Sequence, residues 1–397
     1  MPKVLFKWTL LSVLIGLMAG TASYAFLVSV NAAIEFRRAH QWIVIFLPIV
    51  GVLVAWFYSR FGVEVDGGNN LILDEIHSPQ KHIPLRMAPM IFISAVISHF
   101  FGASVGREGA AVQMSAGLSD QFSKYFGDYF TNRKIILMMG MSAGFASIFG
   151  TPIAGTIFGM EILLLGSVTY EALFPCLIAS VIGYFTAMAL GISYAHYGPI
   201  EIPPLSLVRM LSAAAAGICF GMVARFFIWL LHFVKDFLAK KCPNPIYRPF
   251  FGGVIVVLFF YIFGTDRYQS LGEEIINASF IKHVLPWDFV GKIFMTSMSV
   301  GSGFRGGEVM SLFYIGATLG NALSFILPLS IPLLAGLGLV SVFAGASNTP
   351  IACIFLALKL FGSEIGVYAG IAIVVSYLFS GQKSIYHSQR KHLSKKL

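Results

Sequence analysis

The chain has 397 residues, 57% of them hydrophobic and 11% charged, and a formal net charge of +9 at pH 7. That balance excludes an ordinary water-soluble enzyme and points to an all-α, polytopic membrane protein. The Lys and Arg residues lie between apolar runs and form no RNA- or DNA-binding motif, so no nucleic acid partner is expected. In chain order, runs long enough to cross a bilayer are expected at 8–34, 42–59, 135–165, 172–192, 207–234, 249–263 and 309–334. No soluble domain fits between them. The opening KVLFKWTLLSVLIGLMAGTASYA has the basic start and small-residue end of a leader, but its apolar run continues to Ala33, which favours a retained helix. Lys3 and Lys7, with Arg390, Lys391, Lys395 and Lys396 in the tail, place both termini in the cytoplasm of a multi-pass plasma (inner) membrane protein. Arg37 and Arg38 run against that count. Cys176, Cys219 and Cys353 sit in apolar runs and Cys242 in a basic loop, so neither a disulfide framework nor a metal site is implied, and no cofactor is expected.

The tetrapeptide TPIA occurs at 151–154 and again at 349–352, about half the chain apart. Its surroundings agree, since GFASIFGTPIAGTIF resembles SVFAGASNTPIACIF. Upstream of each copy a glycine-rich turn carries a glutamate, VGREGAAVQMSAGL in the first half and RGGEVMSLFYIGATL in the second. Two repeats are expected, 8–190 and 207–380. The Pro- and Gly-rich segment 191–206 links them, and 381–397 follows as a C-terminal segment and basic tail.

The stretch GSGFRG at 301–306 fits G-x-G-x-x-G, the dinucleotide fingerprint, but it lacks the flanking short strand and the downstream acid that the ribose requires. Duplicated membrane halves interrupted at matching places by glycine and proline point instead to a midplane site built from broken helices. Free N–H groups and positive dipole ends at such helix starts can hold a small anion. The same glycines could simply allow tight helix packing. A rival of another class is an intramembrane hydrolase, because GMSAG at 140–144 fits the nucleophile elbow G-x-S-x-G around Ser142. That motif needs a strand-to-helix turn, whereas here it lies in a continuous apolar run.

With these motifs in place the chain resembles the CLC family of anion channels and proton-coupled anion transporters. GREG at 106–109 resembles its second signature, GGNNLILDEI at 67–76 lies where the first falls, GGEVM at 306–310 where the third falls, and Tyr386 in SIYHSQ resembles the tyrosine of the last helix. The resemblance covers nearly the whole chain. It implies the CLC fold, with two inverted-topology repeats whose broken helices meet at a midplane anion site, and a homodimer with one pore per subunit. Chloride members usually carry serine in the first signature, where this chain has Asn69 and Asn70. Coupled chloride exchangers carry a proton glutamate after the position of Glu161, where this chain has Ile162. Glu308 in the third signature resembles the fluoride/proton antiporter branch, which implies export of fluoride against protons. Chloride or another halide moved through the same fold is the alternative. Met310 and Ser311 depart from that branch's Thr-Pro.

The resemblance implies that Glu108 gates the anion path and takes the proton, and that Glu308 is a second proton station after it in the same half of the path. It assigns anion contacts to Asn69, Asn70, Gly106, Arg107, Gly109, Gly306, Gly307, Val309, Met310 and Tyr386. Other readings of these residues stay open. Asn69 and Asn70 can cap a helix beginning near Leu71, and which of them faces an ion is undetermined. Arg107 can serve only to anchor its turn, Glu161 reads as structural, and Glu308 can pair with Arg305 or cap its own helix.

Overall fold

The computed structural model describes residues 2–125, 129–194, 197, 200–391 and 395. Part of the expected linker (195, 196, 198 and 199) and Lys396 of the basic tail lie outside the described residues. Eight helices precede residue 191: α1 (Pro2–Ala39), α2 (Leu47–Phe61), α3 (Asn69–His77), α4 (Met87–Phe100), α5 (Glu108–Ser119), α6 (Tyr129–Phe149), α7 (Pro152–Glu161) and α8 (Leu173–Ala189). Eight follow it: α9 (Leu207–Lys241), α10 (Arg248–Phe263), α11 (Glu273–Ile281), α12 (Asp288–Ser302), α13 (Val309–Leu323), α14 (Ile331–Ser347), α15 (Pro350–Phe361) and α16 (Gly366–Phe379).

Among the described residues, five helical stretches are long and apolar enough to cross a membrane, at Lys3–Ala39, Gln41–Phe61, Tyr170–Ala189, Leu207–Lys241 and Pro245–Phe263. Two of the expected spans are each two helices. The run 135–165 breaks where Gly150 takes φ +69° and Pro152 opens α7, and the run 309–334 breaks between Leu323 and Ile331. The second TPIA breaks in the same way, with Asn348 at φ +59° before Pro350. Periodicity misses such breaks because both pieces are apolar all round. The central pieces α13 and α14 are buried along almost their whole length.

Apolar helices gain little from water exclusion in a bilayer, so close backbone approach has to hold them together. Gly16 and Gly20 of α1 face α8, where a Cβ on either would lie 2.7 Å from the Ala179 carbonyl and 2.6 Å from that of Gly183. The arrangement recurs in the second half, with Gly217 and Gly221 of α9 against Ala372 and Ser376 of α16 at 2.8 and 2.5 Å. The two TPIA helices are also tied across the halves. Glu161, the last residue of α7, accepts the Ile351 N–H at 3.0 Å and the Ala352 N–H at 2.9 Å, capping α15. Arg37 donates to Gln269 and Arg38 pairs with Glu274 at 2.8 Å, so both basic residues that disturbed the charge count are engaged within the protein.

Among the described residues, the C-terminal segment from Gly381 to Lys391 is not helical but is pinned inside the molecule. Asn348 Nδ2 donates to Gln389 Oε1, and Gln389 Nε2 donates to the Ile162 and Ser347 carbonyls. A two-residue parallel pairing joins Leu164–Leu165 to Arg390–Lys391. Replacing Gly20 or Gly221 with Ile forces a side chain into the opposing backbone. Each variant is expected to lose at least the ~1–3 kcal/mol of an overpacked core, read as a lowered Tm of the detergent-purified protein.

Candidate functional site

The two glycine-rich turns meet in space. The Gly106 N–H donates to the Gly307 carbonyl at 2.5 Å and the Gly307 N–H to the Gly106 carbonyl at 2.6 Å, a two-residue antiparallel bridge. Only glycine permits it, since a Cβ on Gly307 would stand 2.7 Å from the Gly109 nitrogen. One residue beyond the bridge each chain turns into a helix, so α5 and α13 present their N-terminal N–H groups to a common point.

Glu108 sits at that point, 2% exposed. Its Oε2 accepts the Arg107 N–H at 3.1 Å and the Met310 N–H at 3.2 Å, one from each turn. The carboxylate therefore occupies the position that a small anion at paired helix ends would take. Arg107 is an anchor: its guanidinium donates to Asn31 at 3.1 Å and pairs with Glu273 at 2.8 Å, tying the turn to α1 and α11.

A cavity lies to either side. The smaller, about 280 Å³, is lined by Asn31, Arg107, Glu108, Met310, Phe313 and Tyr197, and the larger, about 480 Å³, by Asn69, Asn70, Gln113, Gly306, Glu308 and Tyr386. Glu308 thus lines the other cavity from Glu108, whereas the sequence reading placed both in the same half of the path. The cause is a one-residue offset. In the turns, Gly307 matches Gly106 and Glu308 matches Arg107, with similar backbone angles (φ −106°, ψ −14° and φ −100°, ψ −23°). Glu308 forms no ion pair with Arg305, which bonds Asp66 and stacks 3.9 Å over the Tyr58 ring. Glu308 stands at the N-cap position of α13 without a side-chain capping bond.

The asparagines divide. The helix expected near Leu71 begins at Asn69, and neither side chain caps it. Asn70 Oδ1 accepts the Ser388 N–H at 3.1 Å and so holds the C-terminal segment in place. Asn69 is buried, its Nδ2 lies 3.4 Å from where a Cβ on Gly109 would be, and its Oδ1 has no hydrogen-bond partner. Asn69 is thus the asparagine whose side chain carries an unpartnered atom. Tyr386 is buried on the wall of the larger cavity, and the buried Ser311 hydroxyl one residue past Met310 also lacks a partner. Val309 is buried in the first turn of α13. Sequence reasoning missed Gln113, whose amide lies beside Gly68 on the same wall. The available signal was that Gln113 is the first polar side chain after Glu108 in α5, on an otherwise small and apolar turn. Ser142 lies within α6 with its hydroxyl 3.5 Å from the Thr156 carbonyl, and no strand leads into it.

The sequence pattern of the voltage gated chloride channel family matches residues 50–381. The chain belongs to the CLC family. Among CLC relatives, it is 47% identical to the chloride/fluoride channel protein of Pseudomonas syringae pv. tomato, over 98% of this chain and 87% of that one. It is 26% identical to the H(+)/Cl(-) exchange transporter ClcA of Vibrio cholerae over 90% of this chain and 82% of that one. Among solved CLC structures, a CLC-type fluoride/proton antiporter superposes with a TM-score of 0.95 at 34% identity, covering 98% of both chains. A slow cyanobacterial Cl-/H+ antiporter superposes at 0.81 with 18% identity, covering 96% of both, which supports the fold alone.

The unequal roles of the asparagines are separable by substitution. Asn69→Ala is expected to weaken halide binding by about 1.5–3 kcal/mol, the worth of a hydrogen bond to a charge, with Tm little changed. Asn70→Ala is expected to lower Tm through the freed Ser388 N–H, costing ~1 kcal/mol. Calorimetric titration with fluoride and chloride, run beside thermal melts, checks both.

Proposed function

We propose that the chain is a proton-coupled fluoride exporter of a plasma membrane, with Glu108 as the gate over an anion site at the heads of α5 and α13. The observation that carries this reading is the Glu108 carboxylate, held by N–H groups from both glycine turns. A tethered anion on an anion site can leave in only two ways. It is displaced by a free anion, or it is neutralised by a proton, and either event couples the two ions. Protonated Glu108 loses its claim on the Met310 N–H, and fluoride takes it. Deprotonated Glu108 returns and expels the fluoride. Glu308, on the opposite cavity, offers a second carboxyl on which a proton can wait.

Fluoride is favoured over larger halides by the donor set. It holds water more tightly than chloride does, so a site must replace that hydration with strong donors. The Asn69 amide supplies one where a serine would supply a weaker one, and the Gln113 amide lines the same wall. The similarity to a solved CLC-type fluoride/proton antiporter supports the same choice. The task is chemically coherent, because hydrogen fluoride crosses membranes as a neutral acid and dissociates in a less acidic cytoplasm. The proton gradient then drives the trapped anion outward.

The larger cavity is assigned to the cytoplasmic side with both termini, since Lys235 and Arg248 line it and Lys240 and Lys241 end α9 beside it. The two halves form inverted repeats, a reading supported by the matching glycine seams and the paired turns. The apolar outer faces of α8 and α16 fit a homodimer with one pore per subunit. The chain is a transporter rather than an enzyme.

Liposomes containing the purified protein, assayed in parallel with fluoride, chloride and pH electrodes, test the reading. Uphill fluoride movement driven by a proton gradient, with chloride much slower, is the expected outcome. Equal chloride flux, or fluoride flux without protons, would overturn it. Glu108→Gln keeps the shape and removes the charge, so anion flux is expected to lose its response to the proton gradient. Glu308→Gln is expected to give folded protein whose coupled export is lost, with fluoride binding retained.

A further inference from the structure

Two histidines 155 positions apart come together on the wall of the larger cavity. His232 of α9 and His387 of the C-terminal segment stack with ring centroids 4.1 Å apart and planes inclined by 29°. Both line the cavity that also holds Glu308 and Tyr386. His387 is exposed and His232 half-buried behind it, with its Nε2 enclosed and without a hydrogen-bond partner. Neither ring is used by the anion site described above.

We propose that this stacked pair is the proton-transfer station between Glu308 and the aqueous phase on that side, an inference that rests on the proton-coupled reading. The composition of the wall carries it. The other titratable groups there are Tyr58, Asp66, Lys235, Arg248, Arg305 and Tyr386. Asp66 is tied to Arg305, whose guanidinium also covers the Tyr58 ring. Lys235 and Arg248 offer donors and no acceptor, and Tyr386 is a buried phenol. Imidazole is the side chain that both accepts and releases a proton near neutral pH. The charges facing the pair are Lys235 and Asp236 on α9 and Lys383 on the C-terminal segment, with Arg305 and Glu308 across the cavity. Two positive rings stacked at this distance beside those lysines repel, so the pair carries one proton at a time.

The transfer balances simply. The Glu308 carboxyl gives its proton across the cavity to the exposed His387 ring, leaving a carboxylate and an imidazolium whose face lies on the neutral His232 ring. His387 then releases the proton to the aqueous phase, which restores two neutral rings. No such ring pair faces the smaller cavity among the described residues, where Arg107 and Glu108 are the charged groups on the wall.

The test compares the wild type, His387→Gln and the double variant His232→Gln/His387→Gln in liposomes, with fluoride and proton fluxes recorded together. The variants are expected to lose about a hundredfold of the coupled proton flux, the low end of what a positioned proton carrier contributes. Added imidazole on the cavity side should restore it in the His387→Gln protein. A packing role predicts no rescue. Wild-type flux and pH profile in the double variant, or a loss that imidazole does not repair in His387→Gln, would overturn the station while leaving the exporter reading intact. A wild-type protein that moves fluoride without protons would remove the exporter reading and this inference with it. Should the double variant not fold, His387→Gln decides alone, because its ring is exposed and its loss opens no cavity.

Discussion

A helix that starts inside a membrane protein has N–H groups with no carbonyl to bond and no water to take them. The antiparallel contact of Gly106 with Gly307 is the local answer to that problem, and much of the rest follows from it. The bridge satisfies one donor on each strand and fixes two helix starts against each other. The N–H groups of Arg107 and Met310 remain, and the Glu108 carboxylate is long enough to reach them. A site that needs an anion to be complete has thus been given one on a side chain.

Holding two backbones that close requires support from both halves. Arg107 reaches α1 and α11 through Asn31 and Glu273, and its Nε also stands 3.7 Å from the Glu108 carboxylate, which keeps its charge at the smaller cavity. The glycine seams between α1 and α8 and between α9 and α16 hold the outer helices by close backbone contact, the means available where lipid competes equally for apolar side chains. Glu161 caps α15 from the other half, and Asn70 and Gln389 hold the C-terminal segment that brings Tyr386 to the cavity wall. Loosening any of these would shift the ends of two helices whose alignment defines the site.

The separation of Glu108 from Glu308 matters to the proposed function. Two carboxyls on one cavity would titrate against each other, whereas in the proposed reading carboxyls on separate cavities are loaded from different solutions. The arrangement arises because an antiparallel bridge turns equivalent residues in opposite directions, and because the second turn carries its acid one position earlier.

The sequence by itself determined the membrane class, the repeated TPIA, the glycine turns and the acidic residues within them. Composition, exact repetition of TPIA and the cost of an ionisable group in an apolar run are all local properties. The helix breaks at Gly150 and near Pro328 were hidden because a buried helix is apolar on every face and its periodicity carries no signal at a break. Tertiary structure alone decided which asparagine is free, since Asn69 and Asn70 are identical side chains distinguished only by the Ser388 N–H, 318 residues away. It also decided on which cavity each glutamate lies and that His232 meets His387. Those outcomes depend on contacts between residues far apart in the chain, and a linear pattern records neither the direction of a side chain nor the partner it meets.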